Sequence, residues 1–220
     1  VTREVNEMIT VWGRKTSGNV QIVMWVLAEL GLRVERHDVG GAFGGNDKPD
    51  YLAMNPNGLV PTLRDKGVEL WESAAIVRYL GAAYGDEAFW PRDPLKRAAL
   101  DKWAEWTKTS FQPTLLPGIF WQLVAKRPEE RDEKLVETSV ANLKKLGVMI
   151  DKRLGEGGDY LGGDAISFAD CIFGTLLYRY FTLDFDKAPA ANLEAYYQRL
   201  VQRPAYAEHA MISYESMRPK

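Results

Sequence analysis

The hydrophobic pattern of the chain changes near residue 90, and this change restricts the possible folds more than any other sequence feature. Before it, β-type runs alternate with segments of helical periodicity, and after it every strong pattern is helical. Trp90-Pro91 and Asp93-Pro94 both disfavour helix just before the proline. We therefore predict two domains, residues 1–85 and 95–220, joined by a linker at residues 86–94.

The first domain has the predicted order β-α-β-α-β-β-α, which is typical of a small α/β sheet. In its first helix, Val20, Val23, Leu27 and Leu30 recur at helical spacing. Asp65-Lys66-Gly67 separates two β-type runs and indicates a hairpin. The predicted strands cover residues 9–12, 34–39, 62–64 and 68–71, and the predicted helices cover residues 19–30, 51–54 and 72–84.

The second domain is predicted to be all-α. A helix over residues 95–111 precedes interruptions at Pro113 and Pro117, and Pro128 is placed in the first turn of a long helix. Ser167 and Asp170 have the spacing of a capping box before a further helix that reaches about residue 181. The long helix carries an apolar stripe at the α period, formed by Val136, Val140, Leu143, Gly147, Ile150 and Leu154.

Composition excludes several functional classes. The chain has one cysteine, Cys171, and two histidines, His37 and His209, without the spacing of a zinc site. We therefore expect no metal and no internal disulfide, and we place the protein in the cytoplasm. The net charge of −2 is spread evenly, which argues against a nucleic-acid partner. No apolar run approaches the ~20 residues of a membrane span, so no membrane partner is expected.

Three short motifs of the first domain are suited to ligand binding. Ser17 lies at the start of the first helix, where backbone N–H groups favour negative charge, although a serine there is often only an N-cap. Val60-Pro61 is either an ordinary trans edge-strand pair or a cis pair whose valine backbone can dock a peptide-like ligand. Glu72-Ser73 opens a helix, where it can hold an ammonium and a carboxylate or simply begin the helix. Together they suit a ligand that contains an amino acid, a peptide bond and a thiol.

These motifs resemble those of the soluble glutathione transferase family along nearly the whole chain. That family combines a thioredoxin-like first domain with an all-α second domain, and a bacterial, phi- or theta-like serine-type member is implied. The resemblance is carried by the capping box at Ser167, by Asn55-Pro56-Asn57-Gly58-Leu59-Val60-Pro61-Thr62-Leu63 and by Leu70-Trp71-Glu72-Ser73-Ala74-Ala75-Ile76-Val77-Arg78-Tyr79-Leu80.

The resemblance implies roles for individual residues. Ser17 is the expected thiol-activating residue, because Ser17-Gly18-Asn19-Val20 is similar to the serine-type pattern, with Thr16 left as a competitor. The position of the tyrosine in tyrosine-type classes falls on or near Trp12. The remaining expected glutathione contacts are Asn19, Lys48, Leu59, Val60, Pro61, Glu72 and Ser73. Apart from the resemblance, aromatic residues crowd the first third of the helical domain, and most of them should be core, although an apolar substrate pocket needs such a wall. The expected electrophile contacts are Trp12, Arg14 and, in this wall, Trp106, Phe111 and Phe120.

The implied activity is glutathione transfer to small apolar electrophiles, a detoxification reaction, by a homodimer. Two departures from the family pattern concern Leu59, which replaces a common glutamine, and the loop before it, where only Lys48 is a candidate for the glycine carboxylate of glutathione. A glutathione-dependent peroxidase, isomerase or dehalogenase and a non-catalytic binding or regulatory protein remain alternatives. Glutaredoxin chemistry is a weaker one, because it needs a cysteine at the first helix.

Overall fold

A computed structural model describes residues 8–219 of the chain, which divides into two units, one ending at Gly85 and the other beginning at Asp86. The division falls at the start of the segment predicted as a linker. In the first unit, the strands are β1 (Ile9–Trp12), β2 (Val34–His37), β3 (Thr62–Asp65) and β4 (Val68–Trp71), the helices are α1 (Gly18–Glu29), α2 (Pro49–Met54) and α3 (Ser73–Tyr84), and a 3₁₀ turn covers Gly41–Phe43.

The four strands form one mixed sheet in the order β2-β1-β3-β4. β1 and β2 are parallel and are joined through α1, whereas β3 pairs antiparallel with both β1 and β4. The predicted α/β order is confirmed. The hairpin between β3 and β4 turns on Lys66 and Gly67, both with positive φ (49° and 76°), as a tight two-residue loop requires.

α1 is the central helix of the first unit. All of its residues from position 20 to position 27 are buried, including Gln21, so it has no solvent face in its middle turns. The sequence predicted apolar residues at helical spacing in this helix, whereas the structure buries every residue of its middle turns. α3 contributes Ile76, Val77 and Leu80 to the same apolar layer, and Val11 and Leu63 supply the sheet side. A helix buried on this scale gives a rigid starting point for the loop that precedes it.

The second unit begins with a helical run that continues through both prolines. It consists of α4 (Pro94–Trp106), a π-helical segment (Thr107–Phe111), α5 (Gln112–Leu115), a second π-helical segment (Leu116–Phe120) and α6 (Trp121–Val124). The predicted interruptions at Pro113 and Pro117 are wrong. Each proline lies in or beside a π-helical segment, whose wider turn accommodates the ring and shifts the hydrogen bonds around the missing N–H.

The remaining helices are α7 (Glu133–Leu154), α8 (Phe168–Gly174), α9 (Leu177–Thr182), α10 (Ala191–Val201) and α11 (Pro204–His209), with 3₁₀ turns at Pro128–Glu130 and Glu215–Met217. Pro128 opens a separate 3₁₀ turn and not the long helix, because the Asp132 carboxylate accepts the Leu135 N–H and caps α7. The helix predicted to reach residue 181 is divided between α8 and α9. The buried stripe of α7 consists of Ser139, Leu143, Gly147, Ile150 and Leu154.

The predicted capping box at the start of α8 is confirmed and is part of a larger network. Asp170 Oδ2 accepts the Ser167 N–H at 2.8 Å and the Ser167 hydroxyl at 2.6 Å. Asp170 Oδ1 accepts the Leu161 N–H and the Tyr196 hydroxyl, both at 2.8 Å. Burial raises the pKa of the Asp170 carboxyl, and these hydrogen bonds act in the opposite direction. The side chain therefore connects α8, α10 and the loop after α7.

Gly118 in the second π-helical segment packs directly against α7. A Cβ at this position would stand 1.9 Å from Ser139 Oγ and 2.5 Å from its Cβ. We expect Gly118→Ala to lower the free energy of unfolding by about 1–3 kcal/mol through overpacking, measured by urea denaturation. Ser139→Gly removes the opposing atoms, so the double variant should be more stable than Gly118→Ala alone. Strictly additive effects of the two changes would contradict the close contact.

Candidate functional site

The loop between β1 and α1 presents a hydroxyl at the start of a buried helix. Ser17 is the N-cap of α1, and its side chain makes no capping hydrogen bond. Among residues 8–219, the Ser17 Oγ has no hydrogen-bond partner, whereas its backbone N–H donates to the Arg14 carbonyl at 3.1 Å. The half-buried hydroxyl is thus oriented by the backbone while its hydrogen-bonding capacity remains available.

Backbone contacts to the end of β2 fix this loop. The Gly13 N–H donates to the His37 carbonyl at 2.8 Å, and the Arg14 N–H donates to the Val39 carbonyl at 3.0 Å. Arg36 Nη1 donates to the Gly13 carbonyl at 2.6 Å and also pairs with Asp38, whose pKa this hydrogen bond lowers. Gly13 admits no side chain, because a Cβ there would stand 2.4 Å from a methyl group of Val20.

Val60 borders the same loop. The Val60–Pro61 peptide bond is cis, which is the second of the two geometries considered from the sequence. Within the described part of the chain, neither the N–H nor the carbonyl of Val60 has a hydrogen-bond partner. A Cβ at Gly13 would lie 3.2 Å from the Val60 Cβ, so the valine and the β1–α1 loop are in contact. The backbone groups of Val60 can therefore pair with an extended ligand.

A buried hydrogen-bond network supports the turn before Val60. The Tyr51 hydroxyl and the Asn55 side-chain amide both donate to the Leu59 carbonyl, at 2.5 Å and 2.8 Å. The Thr62 hydroxyl donates to the Tyr51 oxygen at 2.9 Å. Burial raises the pKa of the Tyr51 phenol. Sequence reasoning did not identify Tyr51 or Thr62 as supports of the site. The one sequence signal of this supported turn was the Asn55-Pro56 pair, which belongs to the motif that carries the family resemblance.

Glu72 and Ser73 begin α3 in an unusual conformation. Glu72 is the N-cap with φ 66° and ψ 108°, a region that residues with a side chain rarely adopt. Its side chain is exposed, whereas Ser73 is buried. Backbone strain of this kind is often retained at ligand-binding positions. The arrangement points a carboxylate and a helix N-terminus outward from the same turn.

Asp65 at the end of β3 anchors the other end of α3. This buried carboxylate accepts hydrogen bonds from the phenols of Tyr79 and Tyr84, at 2.6 Å and 2.5 Å. Burial, together with the Asp65 carboxylate, raises the pKa of both phenols. Both tyrosines thus stay neutral donors, and the helix that starts at Ser73 is tied to the sheet.

Replacing Glu72 by glycine tests the backbone strain at this position separately from the loss of the carboxylate. Glycine adopts positive φ without a Cβ clash, so we expect Glu72→Gly to raise the free energy of unfolding by about 1 kcal/mol. Glu72→Ala is the matched control, because it removes the same carboxylate but retains the Cβ and should give no such gain. Urea denaturation of both variants measures the difference. Equal stability of the two would show that the backbone at this position is relaxed.

The remaining predicted glutathione contacts lie around this region. Pro61 is buried, and Asn19 is half-buried in the first turn of α1. Lys48 is the exposed N-cap of α2, and Leu59 is 64% exposed in the turn before Val60. Both exposed side chains can be reached by a ligand.

The predicted electrophile contacts divide between the two units. Trp12 lies on the sheet, where its ring is 5.8 Å from that of His37 and 5.0 Å from the Arg64 guanidinium. Arg14 lies in the β1–α1 loop. These two residues are half-buried, so each has a surface that a ligand can contact.

In the second unit, only Trp106 of the three predicted wall residues has an exposed edge. Phe111 and Phe120 are 0% and 1% exposed, so their rings belong to the core in this structure and offer no surface to a ligand. Phe111 supports Trp106 from behind at 5.6 Å between ring centroids. Phe120 packs against Trp121 and Tyr214, and the Arg179 guanidinium lies over its ring. Phe111 and Phe120 are therefore not ligand contacts in this structure, because the packing of the helical run buries both rings.

Over residues 8–219, no group of three or more His, Cys, Asp or Glu side chains is arranged to hold a metal ion. Cys171 is fully buried in α8, as predicted, and does not lie at the start of α1. None of the helices described for this chain is long and apolar enough to cross a membrane.

Two family models match the chain. Residues 7–82 match the glutathione S-transferase N-terminal domain, and residues 113–204 match the glutathione S-transferase C-terminal domain. Glutathione S-transferase GstB of Escherichia coli is 40% identical over 207 residues, which cover 93% of this chain and 99% of GstB. A probable glutathione S-transferase of rice, GSTF2, is 36% identical over 164 residues, covering 73% of this chain and 75% of that protein.

A solved structure is also closely similar. The theta class glutathione S-transferase from the citrus canker pathogen Xanthomonas axonopodis pv. citri, determined with glutathione bound, superimposes with a TM-score of 0.88 at 39% identity. The match covers 94% of this chain and 98% of that protein. The fold therefore agrees with that of this relative over nearly its full length.

Proposed function

The chain belongs to the glutathione S-transferase family, and from that membership we propose that Ser17 activates the thiol of glutathione for attack on small apolar electrophiles. The observation that carries this assignment is the Ser17 hydroxyl, which lies at the N-cap position of α1, makes no capping hydrogen bond and has no other hydrogen-bond partner in the described residues. A hydroxyl so placed can donate to a sulfur anion, and the helix N-terminus favours the same negative charge. Thr16 is the neighbouring competitor for this role.

The first unit is proposed as the glutathione-binding domain. The backbone of Val60, which has no partner in the described chain, pairs with the cysteinyl residue of glutathione. The carboxylate of Glu72 and the start of α3 at Ser73 hold the charged γ-glutamyl end. Asn19 supports the thiol side of the ligand. The outer contacts are assigned to Pro61, Leu59 and Lys48, the last as partner of the glycine carboxylate.

The energetic requirement for thiol activation is modest. A thiol with a pKa of about 8.5 is roughly 3% ionised at about pH 7, and lowering the pKa to about 6.5 raises the ionised fraction to about 75%. Lowering the pKa from about 8.5 to about 6.5 corresponds to roughly 2.7 kcal/mol, and it raises the ionised fraction about 25-fold. One charge-assisted hydrogen bond together with a helix N-terminus can supply an effect of this size. The bound thiolate then reacts with an electrophile held nearby.

The second substrate and the assembly are part of the proposal. Trp12, Arg14 and the exposed edge of Trp106 are the assigned electrophile contacts, with Phe111 and Phe120 as the packing behind the helical wall. We place the enzyme in the cytoplasm as a homodimer. Light scattering should give twice the 24.9 kDa chain mass at micromolar concentration, and a monomer would contradict the assembly.

Titration calorimetry with glutathione, followed by turnover of 1-chloro-2,4-dinitrobenzene, tests the proposed function. We expect saturable glutathione binding and conjugation of this neutral aryl halide. Glu72→Gln and Ser73→Ala should raise the KM for glutathione more than they lower kcat, because both residues hold a part of the substrate remote from the sulfur. Glutathione binding without turnover of any electrophile would instead favour a non-catalytic binding protein.

A further inference from the structure

We propose that Arg14 binds a carboxylate on the electrophile, so that the enzyme also accepts small electrophiles whose reactive carbon carries a neighbouring carboxylate. This inference rests on the proposed function, because it requires the glutathione sulfur at Ser17. It adds a charged class of acceptor to the neutral apolar one and assigns the side chain that would select it.

The Arg14 side chain occupies space that two glycines leave open. A Cβ at Gly41 would stand 3.0 Å from the Arg14 Nε and 3.2 Å from its Cζ, and a Cβ at Gly40 would stand 3.3 Å from Nη1. The guanidinium therefore lies against the Gly40–Gly41 backbone. Both glycines have positive φ, 82° and 60°, so other residues would be strained at these positions even before they met the guanidinium.

The guanidinium is available to a ligand. Across residues 8–219, the Arg14 side chain has neither a hydrogen bond nor an ion pair. Two other arginines of the same unit are paired, since Arg36 contacts Asp38 at 2.5 Å and Arg64 contacts Glu69 at 2.8 Å. A half-buried arginine that packs against backbone but has no anion can bind a planar carboxylate through two parallel hydrogen bonds.

The position of Arg14 relates this capacity to the sulfur site. The Ser17 N–H donates to the Arg14 carbonyl, so both residues belong to one turn. The same Gly40 Cβ position that lies near Arg14 Nη1 is 3.4 Å from Val60 Cγ1, which brings the guanidinium beside the residue assigned to the glutathione backbone. An electrophile carboxylate bound at this guanidinium would therefore be held by the same loop that carries Ser17, the residue proposed to bind the glutathione sulfur.

The chemistry of such an acceptor requires a cation. A thiolate and a 2-halocarboxylate are both anions, and their mutual repulsion opposes approach. The thiolate sulfur attacks the carbon that bears the halogen, the C–S bond forms as the C–halogen bond breaks, and halide leaves with the bonding electron pair. The carboxylate keeps its charge throughout, so a guanidinium that binds it offsets the repulsion and orients the carbon.

Chloroacetate and chloroacetamide form a matched pair of probes that differ in charge but hardly in size. For Arg14→Gln we expect kcat/KM with chloroacetate to fall roughly 10- to 100-fold, with chloroacetamide changing less than about 3-fold. Arg14→Lys keeps the charge but not the planar fork and should be intermediate. Lys15→Gln, which removes the neighbouring exposed cation, is the control and should leave the preference unchanged.

Binding of the two products gives a readout that needs no turnover. The wild-type protein should bind S-carboxymethylglutathione more tightly than S-carbamoylmethylglutathione, and Arg14→Gln should abolish this preference. Equal losses for both acceptors, or a raised KM for glutathione alone, would overturn the inference and assign Arg14 to glutathione or to the fold. An absence of glutathione binding in the wild type would instead overturn the proposed function, and the inference with it.

Discussion

Replacing Ser17 by alanine is expected to lower kcat/KM for glutathione conjugation by about 10- to 100-fold near pH 7. The reason is that the bound sulfur loses its hydroxyl donor, so its pKa returns toward that of an ordinary thiol. The loss should become smaller as pH rises, because glutathione then ionises without assistance. The pH profile of kcat/KM and direct titration of the bound thiol by ultraviolet absorbance measure this displacement.

Thr16→Ala is the matched control for Ser17→Ala, since it removes the adjacent hydroxyl from the same loop. We expect it to leave the pKa of the bound thiol unchanged. If only Thr16→Ala raised that pKa, the roles of the two residues would be exchanged. If neither substitution changed the pKa or the activity, no hydroxyl of this loop would activate the sulfur.

Replacing Asp170 by alanine is expected to destabilise the second unit by about 3–5 kcal/mol. The substitution leaves the N–H groups of Ser167 and Leu161 and the hydroxyls of Ser167 and Tyr196 without their buried acceptor. Each unsatisfied donor costs free energy because water cannot replace the lost partner. Urea denaturation monitored by circular dichroism, which reports mainly on the helices, measures the change.

Tyr196→Phe removes one donor of the same network and keeps the ring. It should cost only about 1 kcal/mol, because the carboxylate retains its other hydrogen bonds. The informative quantity is the ratio between the losses in the free energy of unfolding of Asp170→Ala and Tyr196→Phe. Comparable losses would indicate that the phenol dominates the network and that Asp170 is not its central acceptor.

The order of elements in the first unit could be predicted because local signals agree with the tertiary structure. The Lys66-Gly67 turn and the short β-type runs each determine their own conformation. The positive φ of Glu72 could not be predicted, because nothing in a glutamate side chain favours it and the surrounding fold imposes it. The cis geometry of Val60–Pro61 likewise stayed open, since trans and cis bonds have the same sequence.

In the second unit, packing overrides local preference. Pro113 and Pro117 signal helix ends, but the helical run continues through both, with Pro113 beside the first π-helical segment and Pro117 inside the second. The second segment packs against α7 at Gly118. The residue types of Phe111 and Phe120 fit a ligand-contacting wall and a buried core equally well. Only the arrangement of the neighbouring helices shows that these rings face inward while Trp106 retains an accessible edge.

The complete burial of Cys171 has a consequence for an enzyme that handles electrophiles. Cys171 is the single cysteine of the chain, and it is 0% exposed in α8. Soft electrophiles react fastest with accessible thiolates, and a fully buried thiol is out of their reach. The protein is thereby protected from alkylation by its own substrates, and the glutathione it binds is the one sulfur nucleophile presented to them.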